Sequence, residues 1–456
     1  MNRAKQLNCC LPHSVCDHEQ LKGDAKMRTD VRPTCGLVML NPPWVPIKVF
    51  SLIIAVAMLA LAGCIGVSSR QFVYPPLPTE VSDDAKQVSV ASNQFALNLY
   101  QLLGEREGNL FFSPASIATA LTMTYSGAEG ETHAQMGKVL NIDGDENKWL
   151  AAAGELSKML NAQGDGYELR MANRLWGQTD YAFRQEFLDH LDNLFFAPLG
   201  PVDFITETEA ARRKINGWVE EATNSKIKDL LPMGILTDKT RLVLTNAIYF
   251  KANWKDQFRK AATAEAPFHV SSTQSKAVPM MYQSNDFLVF EDELLQLLTI
   301  PYENENLSMS IFLPRKIDGL SQLEKDLSLE KIQTLLAGQR QREVRLYLPR
   351  FRMTDEFALK KTLSQLGMPK AFSDAAEFGR ISSQEQLSIT EVVHKSFVEV
   401  DEQGTEAAAA TGVVIGVTSA PVEQPLEFRA DRPFLLMIRH EPSGLILFLG
   451  RLADPH

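Results

Sequence analysis

Apolar side chains recur at helical spacing in the first half of the chain. This pattern predicts helices over residues 88–104 and 206–225, where the apolar positions fall on one side of each segment. Ser113 followed by Pro114 predicts a further helix start, because a serine side chain caps free N–H groups and proline fits the first turn. Gly127 suits the end of that helix. The first half is therefore expected to be mainly helical.

Apolar runs typical of strands dominate the second half. The last two runs, at 434–440 and 445–452, are predicted to form a hairpin, since Glu-Pro-Ser-Gly at 441–444 suits a type I turn. Helices early and strands late predict an α+β fold in one domain. The predicted strands cover residues 241–250, 344–348, 392–400, 434–440 and 445–452.

The connection between the strands predicted at 392–400 and 434–440 is unusually long. It runs for about thirty residues, and loops of that length are usually functional or disordered. Side chains alternate along a strand, so its odd-numbered residues would share one face if the loop became extended. The six odd-numbered residues from 405 to 415 are uncharged, small at first and then β-branched: Thr405, Ala407, Ala409, Thr411, Val413 and Ile415. The sequence therefore predicts an exposed segment that is also suited to become a buried strand.

The overall composition is that of a globular protein without an obvious enzyme site. The chain has 456 residues, is 45% hydrophobic and 22% charged, and carries a net charge of −10, which argues against a nucleic-acid partner. It contains no Gly-x-Ser-x-Gly elbow, no His-Glu-x-x-His and no phosphate-binding glycine loop, so a hydrolase or surface enzyme is a weak alternative. We expect no enzyme activity and no cofactor.

The N-terminal region has the features of a bacterial lipoprotein leader. Residues 49–63 are apolar, too short for a membrane span and suitable for a signal peptide. They end in Leu-Ala-Gly-Cys at 61–64, which resembles a lipobox, although such a tetrapeptide can also occur by chance. Lipidation of Cys64 would anchor a soluble domain to a membrane. The expected location is the cell envelope or the extracellular side, with the choice of inner or outer membrane left open.

The sequence predicts that the chain is divided into three regions. Residues 1–64 form the leader and signal peptide, of which 1–38 could be a misannotated extension, since Met27 and Met39 are plausible starts. Residues 65–87 are proline-containing and read as a tether, and residues 89–456 form the folded domain.

All cysteines lie in the leader, so the folded body has no disulfide. Together with two histidines they superficially suggest a metal cluster, but their spacing matches no strong zinc pattern, and we predict no metal site. The residues concerned are Cys9, Cys10, His13, Cys16, His18, Cys35 and Cys64.

Several segments of the predicted folded domain resemble motifs of the serpin family, and they occur in the family's order. The loop at 401–418 resembles the serpin reactive-centre loop, and its first half resembles the hinge of that loop. Leu-Pro-Arg-Phe at 348–351 resembles the family's Leu-Pro-Lys-Phe element. The other matching segments are 109–121, 245–254, 394–400, 430–434 and 450–455. The resemblance covers residues 89–456, about four fifths of the chain.

The resemblance implies a fold and an activity. The fold would be a single serpin domain with a large central β-sheet A, two further sheets, about eight to nine helices and an exposed reactive-centre loop. The activity would be inhibition of serine proteases by conformational trapping, in which the protease forms an acyl ester with the loop and the cleaved loop inserts into sheet A. We expect a monomer whose partners are serine proteases.

The resemblance also assigns roles to individual residues. Glu402 begins the hinge and is expected to pair with Arg350, where the family usually has lysine. Trp254 resembles the tryptophan at the breach, where insertion begins. The other hinge residues are Gly404, Thr405, Ala407, Ala408, Ala409 and Ala410, and the polar shutter beneath the opening strands comprises Ser113, Ser116, Asn246 and His394.

Counting the family's seventeen residues from Glu402 places the reactive bond at Thr418–Ser419, within the range 416–420. No lysine or arginine occurs between Ala407 and Phe428, which argues against a trypsin-like target and favours an elastase-like or subtilisin-like protease.

Two alternatives remain within this family. The chain could be a non-inhibitory serpin that acts as a binding or storage protein, or a lipoprotein that uses a serpin body as an adhesin. The small hinge residues favour inhibition. Taken alone, the alanine run would also fit an ordinary helix, since alanine is the best helix former.

Overall fold

The structure is a computed structural model that describes residues 80–161, 163–164, 166–383, 387–405 and 424–455. These residues belong to one compact unit, Phe72–His456. The predictions for Cys64, for the leader, for residues 65–79 of the tether, and for Ala407–Ala410, Thr418 and Ser419 lie outside the described residues. Residues 83–87, predicted as the end of the tether, instead belong to the first helix.

Nine α-helices lie in the described ranges, six of them before residue 225. The first begins at residue 83 rather than at the predicted residue 88, because the Ser82 side chain accepts a hydrogen bond from the N–H of Ala85 and caps the helix there. The helices are α1 Asp83–Leu103, α2 Pro114–Tyr125, α3 Gly130–Val139, α4 Glu146–Leu160, α5 Gln185–Asn193, α6 Thr208–Ala222, α7 Leu320–Lys325, α8 Leu329–Ala337 and α9 Lys360–Leu366.

Sixteen strands lie in the same ranges, and every strand predicted from the sequence is present. The strands are β1 Leu110–Phe112, β2 Gln163–Gly164, β3 Tyr167–Gln178, β4 Gly200–Val202, β5 Leu242–Asn253, β6 Ala264–His269, β7 Ser275–Glu291, β8 Leu295–Pro301, β9 Leu307–Pro314, β10 Arg340–Pro349, β11 Phe351–Ala358, β12 Val392–Val400, β13 Gly404–Thr405, β14 Leu426–Arg429, β15 Phe434–His440 and β16 Leu445–Leu452. The α+β class predicted from the sequence is confirmed.

The strands form two hydrogen-bonded sheets. The seven-stranded sheet has the order β11-β12-β13-β5-β3-β2, with β4 paired to β3. The nine-stranded sheet has the order β1-β16-β15-β9-β8-β7-β10-β14, with β6 paired to β7. The 17-residue strand β7 pairs with β6 and β10 along most of its length and with β8 at its end, so it joins two smaller sheets into one.

Apolar side chains cover both faces of the seven-stranded sheet. On one face, Leu244 and Ile248 of β5 belong to the main core, which the α1–α2 helices and the nine-stranded sheet share. On the other face, Ala247 of β5 and Phe397 of β12 pack with Ile215 of α6 in a second, smaller core. Helix α6 therefore lies over the central strands, and the alternation of side chains along β5 serves two cores.

The helices in the described part of the chain include none that combines the length and the apolarity needed to cross a membrane.

Candidate functional site

The centre of the seven-stranded sheet has an opening at one end. Strands β5 and β12 are parallel and pair directly over six residues, from Leu244↔Val392 to Tyr249↔Phe397. Beyond those pairs the two strands separate, and β13 lies between them. Thr405 pairs with Val400 of β12 and with Ala252 of β5, antiparallel to both. The first residues of the long loop therefore already occupy the opening.

Glu402 is held by charged and polar groups just before β13. Its side chain is 1% exposed, and Arg350 donates to Oε1 from Nε at 2.9 Å and also from Nη2. The Thr263 hydroxyl donates to the same oxygen. Burial raises the pKa of Glu402, but the hydrogen bonds from Arg350 and Thr263 outweigh it, so the pKa is lowered and the carboxylate stays charged. The arginine anchors the start of the hinge through one oxygen rather than through a two-oxygen fork.

Trp254 fixes the backbone of the same segment. Its indole Nε1 donates to the carbonyl oxygen of Asp401 at 3.0 Å, and its backbone N–H donates to Gln403 at 2.9 Å. The indole also stacks on Tyr302, with ring centroids 4.7 Å apart. The Tyr302 hydroxyl lies 3.1 Å from the hydroxyl of Thr405, so the buried aromatic pair supports β13 from beneath.

Gly404 makes the approach of β13 to β5 possible. Its φ is +153°, and a Cβ atom built on it would lie 2.0 Å from the carbonyl oxygen of Ala252. No larger residue fits without moving β13 away from β5.

We expect Gly404→Ala to dislodge β13 and destabilise the native protein by at least about 1 kcal/mol, because the new methyl group collides with backbone. Urea unfolding and limited proteolysis at residues 400–405 would measure this. The control is Gly217→Ala in α6, where a Cβ meets nothing within 4 Å. That change should stabilise the protein by about 0.5–1 kcal/mol. Equal behaviour of the two variants would contradict the assignment.

A buried polar cluster lies where β5 and β12 are still paired. Asn246 donates from Nδ2 to Ser116 at 2.8 Å and to Asn173 Oδ1 at 2.7 Å. Its Oδ1 is hydrogen-bonded to Nδ1 of His394, which is the direct partner of Asn246 across the two strands. The Ser113 N–H donates to Nε2 of His394 at 3.1 Å. The structure thus brings all four predicted shutter residues together, while their role in opening remains a prediction.

His394 is neutral in this cluster. The ring is completely buried, and burial lowers its pKa to about 3. A neutral imidazole has one donor and one acceptor nitrogen. Since the Ser113 N–H donates to Nε2, the proton lies on Nδ1 and is donated to Asn246. One side-chain hydrogen bond therefore crosses the junction of β5 and β12.

The sequence analysis missed three residues of this site. Asn173 of β3 joins the polar cluster, Thr263 binds Glu402, and Tyr302 supports Thr405. None lies in a segment that stood out by composition or spacing, and each reaches the site only because segments far apart in the chain come together in the fold. Among the residues that the structure describes, no group of three or more His, Cys, Asp or Glu is placed to hold a metal ion.

The start of a long loop lies between two parallel strands at the centre of a large sheet. This arrangement defines the class of protein. The chain belongs to the serpin family, and the family model described as "Serpin (serine protease inhibitor)" matches residues 90–455. The seven-stranded sheet is the family's sheet A, and the described fold is the serpin fold.

The chain matches curated relatives over nearly the whole length of those relatives. The leukocyte elastase inhibitor of Bos taurus is 42% identical over 380 residues, covering 81% of this chain and 100% of the relative. A serpin-like protein of Thermococcus kodakarensis is 38% identical over 424 residues, covering 89% and 98%. Among solved structures, uncleaved ovalbumin has a TM-score of 0.73 at 31% identity, covering 81% of this chain and 100% of ovalbumin. Maspin has a TM-score of 0.76 at 27% identity, covering 82% and 100%.

Proposed function

We propose that this protein inhibits serine proteases as a suicide substrate. The reactive loop is cleaved near Thr418–Ser419, and its N-terminal half inserts between β5 and β12. The observation that carries the proposal is the position of β13, which lies antiparallel between two parallel strands that are still joined beyond it. Names of relatives at about 42% identity support protease inhibition as the general activity.

The register of β13 predicts how the rest of the loop would fit. The inserted loop would run antiparallel to both neighbouring strands. Each further loop residue would therefore pair with the preceding residue of β5 and of β12. Six residues beyond Thr405, Thr411 would lie between Asn246 and His394, which are paired with each other in the native sheet. The odd-numbered loop residues from 405 to 415 would face the main core, as Thr405 does, and they are uncharged.

Insertion would replace the direct pairing of β5 with β12 by two pairings, one of the inserted loop with β5 and one with β12. The direct β5–β12 pairing covers six residue pairs. In the register of β13, the twelve residues Leu242–Asn253 of β5 would pair with loop residues 404–415, and β12 would pair on the other side. At about 3.3 Å per residue, the inserted strand would span about 40 Å. The added ladder hydrogen bonds and the newly buried face supply the driving force.

This exchange accounts for trapping. The serine of the protease attacks the carbonyl carbon of Thr418, the bond to Ser419 breaks, and the new amine leaves while the acyl ester remains. Insertion then draws the ester and the bound protease along the sheet. Distortion of the oxyanion hole of the protease removes the hydrogen bonds that deacylation needs, so the ester persists.

The target class follows from the loop sequence and the named relatives. The residues around the proposed bond are valine, threonine, serine and alanine, and no lysine or arginine lies between Ala407 and Phe428. Several relatives are named leukocyte elastase inhibitors. We therefore favour elastase-like or subtilisin-like proteases.

The deciding experiment mixes the purified full-length chain with pancreatic elastase and, separately, with subtilisin. We expect an adduct that survives denaturing electrophoresis, together with a released C-terminal fragment beginning at Ser419 or within 416–420. Catalytically blocked protease is the control, because it cannot form the ester and should give no adduct. Complete cleavage without adduct by every such protease would overturn trapping and favour the non-inhibitory binding role.

A lipid anchor on Cys64 forms a second part of the proposal, supported by the apolar run and lipobox-like tetrapeptide that precede it. Expressed in a bacterium, the full chain should enter the detergent-soluble membrane fraction and begin with an acylated Cys64. The variant Cys64→Ala should lose both properties. A mature chain that begins elsewhere without lipid would refute the anchor.

A further inference from the structure

A cavity of about 500 Å³ lies next to the hinge and has no assigned role. Its walls come from the end of β12, the start of β11, the first part of β7 and the 3₁₀ turn at Lys260–Ala262. It therefore touches both sheets, and two of its wall residues are Arg350 and Glu402, the ion pair that holds the start of the hinge.

Four cationic side chains line this cavity, and two of them are not neutralised. Lys276 forms an ion pair with Asp454, and Arg350 pairs with Glu402. The side chains of Lys260 and Arg352 have no ion-pair or hydrogen-bond partner among the described residues. The cavity therefore presents unpaired positive charge.

Two of the three wall carboxylates accept hydrogen bonds from other groups. The Glu402 carboxylate is buried and binds Arg350 and Thr263. Asp401 Oδ1 accepts the N–H groups of Gln403 and Gly404, at 2.9 and 3.2 Å. Glu399 lies opposite Arg352 in the strand register, but its carboxylate is 4.0 Å from Lys226. None of them satisfies Lys260 or Arg352.

We propose that this cavity binds a small multivalent anion of the phosphate type. Guanidinium groups suit phosphate oxygens, because their planar N–H groups bind two oxygens at once. Arg350 uses Nε and Nη2 for Glu402, and a guanidinium has five N–H donors, so it can contact the anion without releasing Glu402. Arg352 and Lys260 supply the remaining charge.

Such an anion would stabilise the native hinge. It would connect Arg350 and Arg352 at the top of the seven-stranded sheet to Lys260 and Lys276 beside the nine-stranded sheet. A ligand that binds this arrangement, and not the unfolded chain, raises the free energy of unfolding by linkage. The inference concerns binding and stability, and it does not depend on the proposed protease inhibition.

The test measures binding of inorganic phosphate to the full-length chain by titration calorimetry, and unfolding temperature in phosphate and in chloride at equal ionic strength. We expect saturable binding and a higher unfolding temperature in phosphate. Arg352→Gln should weaken binding at least about tenfold, because a charge-assisted hydrogen bond is lost. Lys260→Gln is the second variant and should also weaken binding.

The matched control is Arg345→Gln, because Arg345 is an exposed arginine of β10 that does not line the cavity. It should bind phosphate as the unmodified protein does. The proposal is overturned if the unmodified protein shows no saturable binding. It is equally overturned if the cavity variants and the Arg345 variant all retain the same affinity.

Discussion

Ala409→Arg is expected to turn this protein from an inhibitor into a substrate. In the register set by β13, residue 409 of the inserted loop would lie between Ile248 of β5 and Ser396 of β12. Both flanking residues are buried on the side of the main core. An arginine there would have to be buried without a partner, which costs several kcal/mol. Insertion should stall, and the acyl ester should be hydrolysed instead.

The measurement is the ratio of adduct to cleaved protein after reaction with a protease that the unmodified chain traps. We expect that ratio to fall at least about tenfold, since about 1.4 kcal/mol corresponds to a factor of ten. Glu406→Arg is the control, because residue 406 would lie between Lys251 and Glu399, which are partly exposed on the opposite face. Equal loss of adduct in both variants would refute the proposed register.

Asn246→Ala is expected to weaken the native state and to promote insertion without cleavage. The change removes hydrogen bonds to Ser116 and Asn173 and leaves the N–H of the buried His394 without its acceptor. Losing this set should destabilise the native protein by about 2–4 kcal/mol. Because the Asn246–His394 bond joins β5 to β12, its loss should also make it easier to separate those strands.

Urea unfolding measures the first effect, and the loss of adduct-forming capacity during incubation without protease measures the second. Asn93→Ala is the matched control. Asn93 is a buried asparagine that donates to the Gly444 carbonyl and accepts from the Ile446 N–H, each at 2.8 Å, away from β5 and β12. It should lower stability without faster inactivation. If both variants inactivate equally at matched stability, the cluster has no special role in opening.

Local signals were sufficient to predict much of the fold. The Ser113-Pro114 pair gave the start of α2, and the strands at 392–400, 434–440 and 445–452 have the predicted limits. These features depend on neighbours in the chain, such as caps, turns and alternation. The start of α1 was misplaced because the cap at Ser82 precedes the apolar pattern by several residues.

Long-range pairing explains what the sequence did not reveal. Asn173 contacts Ser116, which is 57 residues away in the chain, and Tyr302 contacts Thr405, which is 103 residues away, so no spacing rule brings them to the site. Strand β7 likewise joins two smaller sheets because it is long enough to pair with different strands along its length, and these partners cannot be identified from local sequence. The positions of Glu402 and Arg350 were predicted through the family resemblance, and geometry alone supplied Thr263 as the third member.

The six residue pairs that join β5 to β12 have a kinetic consequence. In the proposed trapping mechanism they must separate within the lifetime of the acyl ester, so insertion and hydrolysis would compete from the moment of cleavage. Proteases that hydrolyse their esters slowly would then be caught even if the junction opens slowly, whereas fast ones would escape. Selectivity among proteases that cut the same bond would thus be set partly by the interior of the sheet, at a distance from the residues that the protease recognises.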